Sequence, residues 1–344
     1  MYTEHTFAEK DFALKHNEDE IAVDTNFAAQ NFWKEALIRF FNKKSAVLGL
    51  VLIVVIVLLA VFGPGMNSYT YSGQDLSQKN FAPRVPGIEQ FGILDGSEKM
   101  STTTGTKIVN NYVEKGKDDV YYWFGSDLYG RDIWTRTWEG ARVSLIIAVA
   151  AAIIDMLIGM SYGLISGYFG GRVDMVMQRF LEVANGIPRL VIVTLLLLVL
   201  QPGMVTIIFA LMLTEWVGMS RIARAEMLKL KDQEFVLASR TLGAGSFFII
   251  FKEVLPNIIG PIITQVMFSI PTAIFTEAFL SFVGLGIPVP QCSLGSLISE
   301  LYNSFTTHPY QIIPPIVVMS LLMLSFNLVA DGLREALDPK MKSM

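Results

Sequence analysis

Long apolar runs alternate with polar stretches along almost the whole chain. Residues 46–63 carry no charge and are closed by Pro64, and residues 144–169 contain only Asp155. Residues 182–200 are apolar but interrupted near their start by Pro188 and Arg189. After the turn-like Gln201-Pro202-Gly203, residues 204–219 hold Glu215 as their single charge. Residues 257–285 hold only Glu277, and residues 310–330 are uncharged, with Pro314-Pro315 near the beginning. A helix rises about 1.5 Å per residue, so about 20 apolar residues cross the hydrocarbon of a bilayer. The pattern predicts an all-α, polytopic membrane protein with six transmembrane helices.

Lys and Arg sort by alternate connections. Arg172, Arg179 and Arg189 lie in the second connection; Arg221, Arg224, Lys229, Lys231, Arg240 and Lys252 in the fourth; Arg334, Lys340 and Lys342 in the tail. The turn at 201–203 and residues 286–309 have none. Under the positive-inside bias this places both termini in the cytoplasm of a cell (plasma) membrane protein, and a buried soluble core has no reason to sort charge this way. Residues 1–28 are acidic, with no apolar core where a signal peptide needs one, and are expected to be a disordered cytoplasmic lead-in. In 29–45, Phe32, Trp33, Ala36, Leu37, Phe40 and Phe41 recur at helical spacing among basic residues. This reads as an amphipathic helix on membrane lipid, with an ordinary soluble-type helix as the alternative. The first crossing, 46–63, is followed by an extracellular insert, 64–143, whose Ser/Thr/Gly-rich middle, 96–116, is expected to protrude. A membrane core, 144–330, then carries a cytoplasmic loop at 221–256 and ends in a cytoplasmic tail, 331–344.

Composition supports this division and excludes other chemistries. Of 344 residues, 52% are hydrophobic and 17% charged, against roughly 25% charged in an ordinary soluble domain. The mean hydropathy is +0.47. A net charge of −4 offers no basic field for nucleic acid. One cysteine, Cys292, and three scattered histidines allow neither a disulfide framework nor the spacing of a metal site. There is no GxxxxGK[ST] loop to cradle a nucleotide, and no nucleophile–base spacing that would mark a catalytic residue.

The loop between the fourth and fifth crossings is the most informative segment. Glu234 to Arg240, around Ala238, reads as a helix. Gly243-Ala244-Gly245 permits the left-handed backbone of a helix end, and Ser246 is placed to cap a second helix running through Phe247, Phe248 and Phe251 to Leu255-Pro256. Such an aromatic surface either lies under the bundle or docks a partner. The stretch resembles the EAA loop of ABC importer membrane subunits: Leu237-Ala238-Ser239 stands at E-A-A, Gly243 at the glycine, Glu253 at the isoleucine, and Leu255-Pro256 at the closing pair. Asp127, Gly130, Arg131, Asp132 and Arg142 lie in a stretch similar to the one before the second crossing of peptide permeases. Residues 277–286 and 327–339 resemble the second (C-type) membrane subunit of the oligopeptide/dipeptide (peptide/nickel) importers. The resemblance implies a type I-like permease fold and a path for short peptides. It also implies a homologous second permease, two cytoplasmic ATPases that hold ATP and magnesium and grip the 234–256 loop, and an extracellular peptide-binding protein. No cofactor is expected on this chain. Import of a nickel chelate or other small solute is the alternative within the family. A stand-alone secondary transporter and an intramembrane hydrolase are the alternatives outside it.

Other residues carry two readings each. Gly159, Gly163 and Gly167 form one smooth helix face for close backbone approach, either to this chain's own helices or to the partner permease. Asp155, Glu215 and Glu277 are costly inside spans; they either line or gate the path, or are hydrogen-bonded structural carboxyls. The outer residues Arg131, Asp132 and Arg142 either set the loop against the membrane or meet the delivering protein. The 16 methionines line a path adaptably or fill gaps between helices.

Overall fold

A computed structural model describes residues 32–102 and 105–337. The expected lead-in at 1–28 and the tail from 338 onward lie outside the described residues. The helices are α1 (Phe32–Asn42), α2 (Lys44–Phe62), α3 (Asn111–Glu114), α4 (Ile133–Ile154), α5 (Ser161–Phe169), α6 (Gly171–Gly186) and α7 (Arg189–Leu200). They continue with α8 (Met204–Leu230), α9 (Glu234–Thr241), α10 (Ser246–Phe248), α11 (Leu255–Leu280), α12 (Leu294–Tyr302) and α13 (Ile313–Leu337). Two antiparallel strands, β1 (Ser97–Thr102) and β2 (Gly105–Asn110), pair from Ser97↔Asn110 inward. Among the described residues the fold is therefore helical apart from one hairpin in the insert.

Among the described residues five helices are long and apolar enough to cross a membrane; α6 and α7, bent by 76° at Ile187-Pro188, make a sixth crossing if taken as one span. Proline disfavours helical backbone in the residue before it, and Ile187 is extended. Taken as one span, the bent pair begins at Gly171, ahead of the expected Glu182. The second crossing runs unbroken from Ile133 to Phe169 through a π-helical turn at Asp155–Met160. The helix begins eleven residues before the expected Ser144, because Arg136 is neutralised inside the protein and Arg142 is paired with Glu139. The fourth continues to Leu230, and a continuous helix from Ser246 to Leu285 forms the fifth. Within the expected 221–256 loop only residues 231–245 leave the two long helices. The last helix persists to Leu337, where Gly332 lies against Ala46 of α2. The 331–337 part of the tail is therefore helix.

α1 forms as the apolar spacing predicts. Ala36 and Phe40 are buried, while Leu37, Ile38 and Phe41 are exposed. Lys43 pairs with Glu335, tying the α1–α2 junction to the end of α13. The insert does not simply protrude. Phe81, Tyr112 and Tyr122 form a small buried core, and the Tyr112 hydroxyl donates to the Ala82 carbonyl at 2.8 Å. Glu98 on β1 contacts His308 at 2.9 Å, fastening the hairpin to the connection before α13.

Candidate coupling elbow and translocation surface

α8 ends at Leu230, and the three-residue turn 231–233 leads into α9, whose Glu234 and Arg240 lie at the ends that the helix dipole favours. Val236 is fully buried among Met227, Ile249, Ile250 and Val254, so α9 is held down by one apolar face. Gly243 has φ +82° with nothing near its missing side chain; the requirement for glycine there is conformational, not steric. The Ala244 amide donates to the Ser239 carbonyl at 3.0 Å and closes the helix end. Gly245 is the N-cap of the next helix and Ser246 its first residue, with no side-chain cap. The expected capping role of Ser246 is not formed. The Leu255-Pro256 pair sits at the end of a π-helical stretch, Ile249–Val254. Proline lacks an N–H for the preceding turn, and the Asn257 side chain donates to the Glu253 carbonyl at 2.7 Å.

The outward face of this elbow is apolar. Leu242 is 88% exposed and Phe247 65%, with Phe235, Leu237, Phe248 and Phe251 also exposed. The rings of Phe247 and Phe251 lie parallel, 6.4 Å apart. Of the two readings of the aromatic surface, packing under the bundle is not what the structure shows. Arg240 stacks its guanidinium 5.4 Å from the ring of Tyr168, joining α9 to the end of α5. Ser166, Asp174 and Arg224 continue that junction: Arg224 grips Asp174 through two hydrogen bonds of 2.7 and 2.6 Å, and Ser166 donates to Asp174 at 2.5 Å.

At the opposite end a buried charge network fixes the insert. Asp127 accepts from Arg131 Nε at 2.6 Å and Arg136 Nη1 at 2.8 Å. Glu300 of α12 accepts from Arg136 Nη2 at 2.7 Å and also from Arg131. Burial raises the Glu300 carboxyl, but the Arg136 charge and the hydrogen bonds from both arginines outweigh it and hold the group below the usual glutamate range. Asp132 caps α4, accepting from the Thr135 amide and the Asn67 side chain, each at 2.8 Å. Burial pushes its carboxyl upward against those bonds. Gly130 lies directly under the Asp75 carbonyl. Asp127, Arg131 and Asp132 are all buried and set the loop, while Leu128 and Tyr129 between them are exposed. Arg142 stands apart, paired with Glu139 on its own helix. Arg136 and Glu300, absent from the sequence-derived sites, are the network's other half.

The intramembrane carboxyls divide in the same way. Glu277 is fully buried and accepts from Ser281 at 2.7 Å, Ser293 at 2.5 Å and Ser144 at 3.3 Å. Asp155 is buried and accepts from Ser269 at 2.6 Å. Neighbouring helices of this chain close around both, and each is hydrogen-bonded. Glu215 differs: it pairs at 3.0 Å with Arg189, whose side chain is 52% exposed. The glycine face meets this chain's own α8. A Cβ at Gly159 would lie 2.5 Å from the Trp216 carbonyl oxygen, one at Gly163 would collide with that of Ser220, and one at Gly167 would touch Met227. Met219 and Met227 are fully buried fillers beside it. A cavity of about 1100 Å³ opens near the elbow between α8, α11 and α13, with Glu226, Lys229, Asn257, Gln265 and Arg334 on its wall.

Comparison with known proteins gives a consistent result. Residues 159–343 match the family described as the binding-protein-dependent transport system inner membrane component, and residues 31–83 match the N-terminal TM domain of oligopeptide transport permease C. The oligopeptide transport system permease protein OppC of Bacillus subtilis (strain 168) is 41% identical over 312 residues, 91% of each chain. The dipeptide transport system permease protein DppC of the same organism is 38% identical over 332 residues, 96% of this chain and 93% of the relative. A solved structure of the MetNI methionine ABC transporter in inward-facing conformations aligns with a TM-score of 0.50 at 15% identity. It covers 58% of this chain and 94% of that one, which relates the two by fold alone.

Proposed function

Because the chain belongs to the binding-protein-dependent transport inner-membrane components, as a C-type permease subunit of an ABC importer and not itself an enzyme, we propose that its cargo is short peptides and that residues 234–256 are where ATPase motion enters it. The observation that carries this reading is the exposed Leu242–Phe251 face, mounted on an elbow whose inner side is fully buried. An apolar patch of that kind on a membrane subunit is matched by a protein groove, not by water. The peptide assignment is supported by relatives named for oligopeptide and dipeptide transport.

In this reading the elbow and both termini face the cytoplasm, consistent with the basic residues of the fourth connection. Two ATPases hold ATP and magnesium, a homologous permease completes the path, and an extracellular binding protein delivers the peptide. The exposed face of α1 rests on lipid. Arg240 on Tyr168 and Arg224 on Asp174 carry displacement of the elbow into α5 and α6. The test is co-purification with the native associates, followed by uptake of labelled di- and tetrapeptides in cells lacking and regaining the chain. An ATPase recovered with the wild-type chain and lost with F247D, together with peptide uptake that depends on the chain, supports the reading. Labelling of F247C from the cell exterior overturns it.

A further inference from the structure

The break in the third crossing sets a charge pair in an unusual position. Glu215 is eleven residues along α8 from Met204, about 17 Å from the start of that helix at 1.5 Å per residue, which is near mid-depth of a hydrocarbon layer about 30 Å thick. Its partner Arg189 follows the bend at Ile187-Pro188 and leaves half of its side chain uncovered, whereas Glu215 is only 13% exposed. An uncovered guanidinium at that depth is strongly disfavoured against lipid, and intramembrane charges of this kind face the bundle interior or a water-filled cavity. Only Nη1 of Arg189 is engaged, with Glu215 at 3.0 Å. Among the described residues Nε and Nη2 have no partner. Asn185, Arg189 and Thr214 border a small cleft at the bend.

A short peptide brings one carboxylate and one ammonium group to this depth. An arginine with two free donors matches a carboxylate, which it can hold bidentately, and the neighbouring glutamate matches the ammonium. Exchange of one ion-pair partner for another leaves no charge uncompensated during passage. Resting on the peptide-import reading above, we propose that Arg189 and Glu215 form a charge-matching station on the translocation path, at which the terminal carboxylate of the peptide takes the open side of the Arg189 guanidinium.

The experiment uses the complete transporter in proteoliposomes, with trialanine and trialanine amide each loaded on the binding protein. R189Q is expected to lower trialanine uptake at least tenfold and amide uptake less than twofold, and R189K, which keeps the charge but not the bidentate fork, to lower trialanine uptake by less than R189Q does. Equal loss for both peptides, no loss for either, or restoration of trialanine uptake by R189E/E215R overturns the proposal, because each outcome assigns the pair a structural role. As a second measurement, R189C in the assembled transporter is expected to react with an anionic, membrane-impermeant methanethiosulfonate and to be protected by trialanine; an unreactive thiol overturns the proposal. Failure of the wild-type transporter to take up any peptide counts against the peptide-import reading itself.

Discussion

Replacing Glu300 with alanine tests whether the insert end is held by buried charge. In the wild-type protein two guanidiniums, Arg131 and Arg136, face two carboxylates, Asp127 and Glu300, and the set is balanced. E300A leaves Arg136, which is fully buried, sharing Asp127 with Arg131. Stranding one member of a buried pair costs about 3–5 kcal/mol. Since the Glu300 side chain keeps 26% exposure, water can compensate in part, and the lower end, about 3 kcal/mol, is expected. That corresponds to a fall in melting temperature of roughly 5–10 °C, measured on detergent-solubilised protein by fluorescence-detected size exclusion after heating. The double variant R136M/E300L should recover much of the loss, because removing both charges strands neither. The pH dependence has a definite sign. Glu300 is held below the ordinary glutamate value of 4.5, so its contribution is fully present above that value and is lost as pH falls through its depressed one. E300Q removes that component of acid sensitivity. A melting temperature unchanged in E300A, or a double variant worse than E300A, would refute this account.

Further outcomes follow from the geometry. G163V should separate α5 from α8, because its side chain would enter the Ser220 carbonyl, at a cost of about 1–3 kcal/mol or more. G218A, with open space around it, should be neutral in the same expression and thermal-stability assay. F247A should leave thermal stability unchanged while weakening ATPase recovery on co-purification. V236A, on the buried side of α9, should lower stability by about 2 kcal/mol. G243A meets no neighbouring atom but forces alanine to φ +82°, costing about 1 kcal/mol and reducing ATPase coupling more than membrane insertion, as read by peptide-stimulated ATP hydrolysis.

The crossings were legible because an apolar run about 20 residues long has few ways to satisfy its backbone in lipid other than a helix. The elbow was legible because glycine at a helix end and alternating apolar positions are local signals. What sequence reading missed depends on contacts between distant residues. Arg136, Glu139 and Arg142 together hid the start of the second long helix, and the partner of Arg136, Glu300, lies 164 positions away. Glu277 carried two readings because its hydrogen-bond partners Ser144 and Ser293 come from other parts of the chain. Arg224 and Lys229 similarly concealed the continuation of α8 to Leu230, Arg224 being matched by Asp174 on another helix. The hairpin at 97–110 is too short and polar to announce itself, and its anchor, Tyr112, lies just beyond it.

The glycine face between α5 and α8 has a mechanical corollary. Where Gly159 and Gly163 bring the helix against the Trp216 and Ser220 carbonyls, little side chain lies between the two rods to take up a push, and they are expected to move together. Bending must then be concentrated at the joints the shaft does not contain: the proline break after Gly186 and the kink at Gly284. A push at one end of such a shaft is then expected to emerge as swing at these two joints.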